Sequence, residues 1–597
     1  MKVHERNVVG APVRVLVVES EDDARLFRSW IDERASGPIA IDTETTGLND
    51  RASGWELRLV QFGDPYTGWV LPGGMRSDIQ YALSRCVMPV FHNRPFDASA
   101  LTRAGFDHHA WSGGRDTQIL AHLVDSRGSR DGGVGHGLKA LADHYIQPGL
   151  SDDQVELKSW ARSNKVTVSE MFATCPIELL EAYAGMDVVL TSWLFPMLLR
   201  QVADIGCAGL EEFELEVQRV CAEMEDTGFK VDLEYAEALD VHLRGESDRA
   251  AAALGDLGVA NPNSTAQVAQ ALIDDGVVWS AKTASGKPSV DSDTLAGMAH
   301  PIAKLVTDYR GAAKMRKSYV EAVTSSHSGG RVHASIRALQ ARTGRMSVSA
   351  PPLQQLPSGD ALIRRMFVPD DGMVLCAVDY SQIELRVLAA LAGEKNMIEA
   401  IQAGVDLHTN AAEAMHVDRR IAKMANFLTV YGGGSRQLAL QAGITEGEAR
   451  AALGSFGRAF PGIKRYGKSL QSDAYLSGEF AVRTMSNRRL VLDRDRQYAA
   501  TNYVVQSSSR DVLAEAMLRI DESPLGGSLL LPVHDELLFQ VPEGSEDDAV
   551  CAMVSLMETE IDTKSKLGIV PLAADGDVYG ASWGHGYDTP DVLKEWF

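Results

Sequence analysis

Ile39-Ala-Ile-Asp42-Thr-Glu44-Thr-Thr-Gly47 ends an apolar run with two carboxylates two residues apart. Alternate residues of an extended chain face the same side, so Asp42 and Glu44 share a face. Like charges so placed repel unless a cation lies between them, and oxygen donors of this kind suit Mg²⁺ or Mn²⁺. Taken alone, the pair reads more readily as a solvated strand end than as a metal site. Two further segments change that balance. His92-Asn93-Arg94-Pro95-Phe96-Asp97 puts Asp97 just after another apolar strand, at a helix start. Tyr183-Ala-Gly-Met-Asp187 puts a phenol and a carboxylate four residues apart, on one helix face. Four carboxylates and a phenol suit phosphodiester hydrolysis. Two ions about 4 Å apart would clamp the attacking water and the leaving oxygen, and Tyr183 would orient the water.

A second set repeats the logic. Met373-Val-Leu-Cys-Ala-Val378 runs into Asp379-Tyr380, and Pro532-Val-His534-Asp535-Glu536 sits between two apolar runs, which places His534 and Asp535 at a hairpin turn. Asp379 and Asp535 on adjacent strands would hold two metals. Between them, Arg419, Lys423, Phe427 and Tyr431 fall at steps of four and form one helical stripe. Two cations followed by two rings suit a nucleoside triphosphate, the cations taking phosphates and the rings sugar and base. The plainer alternative is an amphipathic helix whose rings are core and whose cations are surface.

These residues need a scaffold. Apolar runs at Val13–Val18, Ile39–Ile41, Leu57–Phe62, Trp69–Leu71 and Val90–Phe91 have strand length, and helical stretches such as Phe96–Arg103 and Gln118–Val124 follow them. That alternation is an α/β unit with a mostly buried sheet. Ser151–Thr174 reads as a polar loop or surface helix. From about Ile205 long helical patterns take over: Glu211–Asp226, Glu234–Gly255, Thr265–Asp275 after the start signal Asn261-Pro-Asn-Ser264, and Ile302–Val323. A strand at Met373–Val378, more helices to about 480 and a hairpin at Leu529–Val541 complete the pattern. The domain boundary falls near residue 205.

With 597 residues the chain suits three to five structural units of about 100–200 residues each. Its 45% apolar and 23% charged content excludes disordered, collagen-like and coiled-coil classes. The six cysteines are scattered, without metal-finger spacing, which fits reduced thiols in a cytosol. No uncharged apolar run of about 18 residues suggests a membrane span, and the charged N-terminus is unlike a signal peptide. A net charge of −23 argues against a uniformly DNA-coated surface, but Arg310–Arg386 carries eleven Lys/Arg against six Asp/Glu, a basic stripe on an acidic body.

The first cluster resembles the three exonuclease motifs of the DEDD superfamily in its tyrosine-containing subclass: Asp42 and Glu44, then Asn93 and Asp97, then Tyr183 and Asp187. The second resembles motifs A, B and C of family A DNA polymerases, the bacterial DNA polymerase I type. Thr343-Gly-Arg345-Met-Ser and Leu353-Gln354 look like that family's thumb-to-palm segment. Tyr309-Arg310-Gly-Ala-Ala-Lys314 looks like its phosphate-contacting thumb, and Asn502-Tyr-Val-Val-Gln506 like a palm helix lining the minor groove. The likeness runs from about residue 39 to 587.

The resemblance implies a mixed-sheet, RNase H-like α/β exonuclease domain at 1–205 and an α+β right-hand polymerase domain at 206–597. The latter would have a helical thumb at 206–330, an antiparallel-sheet palm at 331–395 and 500–597, and helical fingers at 396–499. It implies that Asp379, Asp535 and the Tyr380 carbonyl hold two Mg²⁺ ions, with Mn²⁺ a substitute, and that the nuclease site holds two more. Arg419 and Lys423 would bind the β- and γ-phosphates. Phe427 and Tyr431 would shape the base-pair pocket, with Gln382 and His408 completing the nucleotide-binding set. Gly432 would let the template approach, His534 would touch the primer end, and Arg345, Gln354, Asn502 and Gln506 would contact DNA, as would Arg310 and Lys314. Glu384 would block a ribose 2′-hydroxyl, and Phe427, where the family has Phe or Tyr, implies discrimination against dideoxynucleotides.

Departures are His92 and Pro95 around Asn93, and Tyr498 where an Arg is usual. Exonuclease-like sequence begins almost at once, leaving no room for a 5′-nuclease domain, and Ser318–His333 is too short for a large thumb insertion. The tail Asp588–Phe597 lies beyond the likeness and reads as a frayed end or a partner peptide. The expected partners are primer–template DNA and dNTPs, with a helicase and single-strand-binding protein as replisome candidates and no membrane. The layout favours a phage replicative enzyme in the host cytoplasm. A processing nuclease with a DNA-binding polymerase remnant, a non-catalytic scaffold and a single-subunit RNA polymerase relative are the rivals. The intact acidic sets disfavour the first two, and Glu384 with a proofreading domain disfavours the third.

Overall fold

A computed structural model describes residues 1–278, 282–283, 286–357, 361–563 and 565–586, so the tail Asp588–Phe597 lies outside the described residues. The N-terminal unit is built on a seven-stranded mixed sheet. Its spatial order is Lys2–Val8, Ala11–Val17, Thr67–Pro72, Leu57–Asp64, Pro38–Thr45, Met88–Phe91 and Arg115–Asp116. Pro38–Thr45, the strand that carries Asp42 and Glu44, pairs antiparallel with Leu57–Asp64 and parallel with Met88–Phe91. Both faces are covered. Phe27, Ile31, Phe62 and Trp69 fill one side and Val13, Val15, Leu59 and Val70 the other, which is why the strands read as continuous apolar runs.

Sequence patterning finds five of these strands and passes over two. Lys2–Val8 is an edge strand whose alternate residues are solvent-facing, so its charges look like a polar terminus. Arg115–Asp116 is two residues long, too short for any periodicity. Ser151–Thr174 folds as two helices, Asp152–Ser163 and Val168–Thr174.

The helix Ile177–Asp204 lies across the sheet. By length and composition it could cross a membrane, but 67% of its most apolar window is buried inside the protein. It is a core helix. Gly185 decides how closely it sits: a Cβ there would collide with Val15, and a Cβ on Gly68 would strike the Gly185 carbonyl. Two opposed glycines thus let the backbone of the helix approach the sheet, and the residues flanking Gly185 are Tyr183 and Asp187.

Beyond residue 205 the expected helices form at Gly209–Thr227, Leu233–Asp256 and Thr265–Asp274, the last capped by the Ser264 side chain. The Ile302–Val323 pattern is one helix in sequence but not in space. Pro301–Met315 passes through a wider π-type turn, Arg316–Val320, into Glu321–Ser326. The strand Met373–Tyr380 lies in a four-stranded antiparallel sheet between Glu536–Pro542 and Ala574–Gly580, with Leu529–Val533 outermost. Ala574–Gly580 contains two glycines and two aspartates and gives no strand signal in sequence. The helix Ala500–Asp521 is mostly buried against this core.

A buried ion network ties the helix Gly209–Thr227 to the helix Ala500–Asp521. Glu214, fully buried on Gly209–Thr227, accepts from Arg510 at 2.6 and 2.7 Å and from Arg488 at 2.5 Å, and Arg488 also reaches Asp511 at 2.7 Å. Two cations and two anions balance, the condition under which buried charge is tolerated. Nearby, His122 of the N-terminal unit meets the Ala341 carbonyl at 3.1 Å, just ahead of Thr343-Gly-Arg345.

Two candidate active sites

Strand geometry brings Asp42 and Glu44 to one face, and the close-seated helix adds Asp187: the ligand oxygens of these three all lie within 4.8 Å of one another. Asp97 joins from the helix Arg94–Arg103 and is held by the Thr43 hydroxyl at 2.7 Å. Asn93 adopts the left-handed conformation (φ 74°) that asparagine tolerates, and the Asp116 carboxylate takes the Asn93 and Arg94 amides at 3.0 and 2.9 Å. Pro95 falls in the first helical turn, where its missing N–H leaves nothing unsatisfied. The unusual Asn-Arg-Pro segment is therefore compatible with a well-formed helix start. Arg94 is buried and braces that start against the next unit through Gln218 at 2.8 Å.

Burial and mutual repulsion dominate the electrostatics. The Asp42 and Glu44 carboxyls are held well above the carboxylate range, first by desolvation and then by the neighbouring carboxylates, and Asp97 is raised to about 8, chiefly by burial. Burial and the Asp187 charge keep the Tyr183 hydroxyl protonated. An all-oxygen donor set that resists carrying its own charge fits hard divalent cations, whose binding would restore the ionised state. Sequence reasoning missed Lys139, which forms an ion pair with Asp187 and lies 4.4 Å from the Tyr183 ring centroid. Its signal was faint: one lysine inside the apolar run Leu138-Lys-Ala-Leu-Ala142.

On the second sheet, Asp379 ends its strand directly opposite Glu536 and Asp575 in register, and Asp535 stands at the turn of the adjoining hairpin. The Tyr380 amide donates to the Asp535 carbonyl at 3.2 Å, which ties the two corners together. His534, exposed and at φ 59°, makes the turn. Desolvation, with Asp535, Glu536 and Asp575 as neighbours, raises Asp379 to about 7; Asp535 is raised by burial and eased by Arg345. Two carboxylates and a backbone carbonyl again make an oxygen set suited to a hard cation.

The stripe lies on the helix Arg419–Tyr431, whose C-cap Gly432 is left-handed. Phe427 is 37% exposed and Tyr431 41%, so the rings are not core and the plain amphipathic alternative fails. Lys423 is exposed, and Arg419 is paired with Asp406 at 3.0 and 3.1 Å. Gln382 donates to the same carboxylate at 2.6 Å. Burial works against Asp406, yet the bonds from Arg419, Thr409 and Gln382 hold its carboxyl far below the usual range. His408 is buried, bonded to Asn426 at 2.9 Å and 5.8 Å from the Phe427 ring. Glu384 is buried and raised by desolvation, forms an ion pair with Arg345, and accepts the Tyr431 hydroxyl at 3.2 Å.

Arg345, Gln354, His534 and Asp535 line one cleft. Gln354 is tied to the Pro532 carbonyl at 3.0 Å, Gln506 bonds the Tyr431 hydroxyl, and Asn502 is buried. Arg310 points inward, spending its guanidinium on the Pro262 and Val290 carbonyls, while Lys314 is exposed. A Cβ on Gly432 would meet the Tyr498 ring at 2.8 Å, so the tyrosine that replaces the expected arginine packs on this helix end.

Comparison with known proteins agrees with both halves. Residues 18–203 match the model of the 3′-5′ exonuclease family and residues 234–585 that of DNA polymerase family A. A DNA polymerase of Mycobacterium phage L5 is 36% identical over 97% of this chain and 98% of its own length. A DNA polymerase I of Chloroflexus aurantiacus is 30% identical over 94% of this chain and 63% of its own. The solved POL domain of Pol1 from M. smegmatis, in complex with DNA primer-template and dNTP, superposes with a TM-score of 0.75 at 25% identity, covering 96% of this chain and 100% of that one.

Proposed function

The chain belongs to DNA polymerase family A, with a 3′-5′ exonuclease domain ahead of the polymerase domain, and from that premise we propose which residues do its chemistry. The protein is a DNA-directed DNA polymerase with 3′-5′ exonuclease activity that uses divalent metal; its likeness to phage DNA polymerases supports a role in replicating a phage genome, and we place that role in the host cytoplasm. The observation that carries the site assignment is the coincidence of two acidic sets on two sheets, each at a strand end. We assign residues 1–205 to the nuclease, 206–330 to the thumb, 331–395 and 500–597 to the palm and 396–499 to the fingers.

In the polymerase site Asp379, Asp535 and the Tyr380 carbonyl would hold two Mg²⁺ ions, which supply a more acidic primer 3′-hydroxyl and charge neutralisation on the triphosphate. Arg419 exchanges Asp406 for the incoming phosphates and Lys423 adds a second cation. Phe427 and Tyr431 present their exposed rings to the nascent pair. Arg345 and Gln506 reach the minor groove, with Gln354, Asn502 and His534 along the primer. Lys314 meets backbone phosphate, and Arg310 holds the thumb in shape. In the nuclease site Asp42, Glu44, Asp97 and Asp187 would hold metal, and the protonated Tyr183 orients water on the scissile phosphate. Primer–template DNA and dNTPs are the substrates; a helicase and single-strand-binding protein are the partners a replisome would supply.

Glu384 closes the sugar side of the pocket, held by Arg345 and Tyr431. Glu384→Ala is expected to raise ribonucleotide incorporation at least about a hundredfold relative to dNTP use, because a site rejects a hydroxyl only while a fixed group occupies its place. Single-nucleotide incorporation with paired rNTP and dNTP checks this, and unchanged selectivity would remove the assignment.

The test of the whole reading is a 5′-labelled primer on a longer template with Mg²⁺. Lengthening with dNTPs and shortening without them, faster from a mismatched end, is the expected pattern. Shortening without any extension would hand the protein to the nuclease reading.

A further inference from the structure

Lys139 sits in the helix Leu138–Tyr145, 7% exposed, among core residues Leu138, Leu141 and Ala142. An ammonium in such a place gives up most of its hydration and persists only with a partner of opposite charge, and lysine is almost never fully buried unpaired. Its partners are both nuclease residues: the Asp187 carboxylate and, at 4.4 Å, the face of the Tyr183 ring. A residue needed only to pack this helix would be apolar. Its charge also bears on Asp42 and Glu44, easing both against their neighbours.

Charge balance indicates what the ammonium is for. Four carboxylates are neutralised by two divalent ions, so a phosphodiester entering the loaded site brings a further negative charge; Arg58 also bears on Glu44 but donates to the Phe172 carbonyl, whereas Lys139 is paired with a carboxylate of the cluster itself. Attack by hydroxide adds another. A flexible four-carbon stem lets an ammonium swing between two nearby oxygen acceptors.

Resting on the nuclease assignment above, we propose that Lys139 is a catalytic residue of the exonuclease site, pairing with Asp187 before metal binds and contacting a non-bridging oxygen of the scissile phosphate when a 3′ end is seated. In that step the water oxygen bonds to phosphorus and the bond from phosphorus to the 3′-oxygen breaks. One water proton leaves to solvent, the departing 3′-oxygen takes a proton from solvent to become the hydroxyl of the shortened strand, and Lys139 keeps its own proton throughout. While paired with Asp187 the ammonium also competes with metal, so its two roles pull measurable quantities in opposite directions.

The test uses the full chain carrying Asp379→Asn and Asp535→Asn, which silences the other acidic site, with Lys139→Met, Lys139→Arg and Asp42→Ala added singly. Mn²⁺ binding is followed by calorimetry and cleavage by release of nucleotides from a single-stranded 3′ end at saturating Mg²⁺. Lys139→Met is expected to bind Mn²⁺ about tenfold more tightly, a competing charge having been removed, and to cleave about a hundredfold or more slowly, one transition-state donor having been lost. Lys139→Arg keeps the charge and is expected to recover cleavage to within about tenfold of the parent. Thermal melting, and primer extension by each substitution in the otherwise native chain, report correct folding. Weaker Mn²⁺ binding together with slower cleavage would make Lys139 a structural strut and overturn the proposal, as would undiminished cleavage. Cleavage that survives Asp42→Ala would overturn the nuclease assignment itself, whatever Lys139 does.

Discussion

Asp379→Ala is expected to lower primer extension by about a thousandfold or more while the 3′-5′ degradation of the same primer stays within about twofold. Asp379 stands at the end of the strand Met373–Tyr380, opposite Glu536 and Asp575 and beside Asp535. Its removal would leave the proposed metal site with one principal carboxylate and weaken the support for charge developing on the primer hydroxyl and the triphosphate. Glu536 and Asp575 do not replace it. The Glu536 carboxylate is engaged by the Tyr579 hydroxyl at 2.9 Å, and Asp575 by Ser381. Rapid-quench extension with saturating dNTP separates this loss of chemistry from weaker nucleotide binding. Extension reduced by less than about tenfold would mean that Asp379 is not a principal ligand.

Asp42→Ala is expected to do the converse: degradation from a mismatched 3′ end falls by about a thousandfold, extension from a matched end is unchanged, and errors accumulate in the product. Asp42 belongs to the carboxylate group whose oxygens lie within 4.8 Å of one another, and it feels Asp97, Glu44 and Asp187 together. Removing one member relieves repulsion, so the variant should fold at least as stably as the parent, and loss of activity cannot be assigned to unfolding. Thermal melting alongside the degradation assay checks both statements. A variant that still degrades primers would move the nuclease centre elsewhere. A variant that loses both activities would mean that the domains depend on each other more than two separate acidic sites imply.

The two acidic sets were legible because their chemistry is local. Asp42 and Glu44 on alternate strand positions, Tyr183 and Asp187 one helical turn apart, and the four-residue stripe from Arg419 to Tyr431 are each fixed by the period of one element. The strand and helix patterns that carry them are equally local, which is why the His534-Asp535 turn falls where the sequence puts it. The strands Lys2–Val8 and Ala574–Gly580 were not legible, one because its alternate charges face solvent at a sheet edge, the other because glycine and aspartate carry no strand propensity.

What depends on two elements meeting had no sequence signal. Asp406 as the resting partner of Arg419, Arg345 and Tyr431 converging on Glu384, and Glu214 between Arg488 and Arg510 all join residues far apart in the chain. The exposure of Phe427 and Tyr431 belongs here too, since a helix pattern names a stripe but not what covers it. Residue types and their spacing determined which chemistry this chain carries, because short-range geometry is set by the backbone repeat. The fold alone decided the charges around it: only when Gly185 seats its helix against the sheet do four carboxylates and Lys139 come close enough, in a medium of low dielectric, for each to control the others.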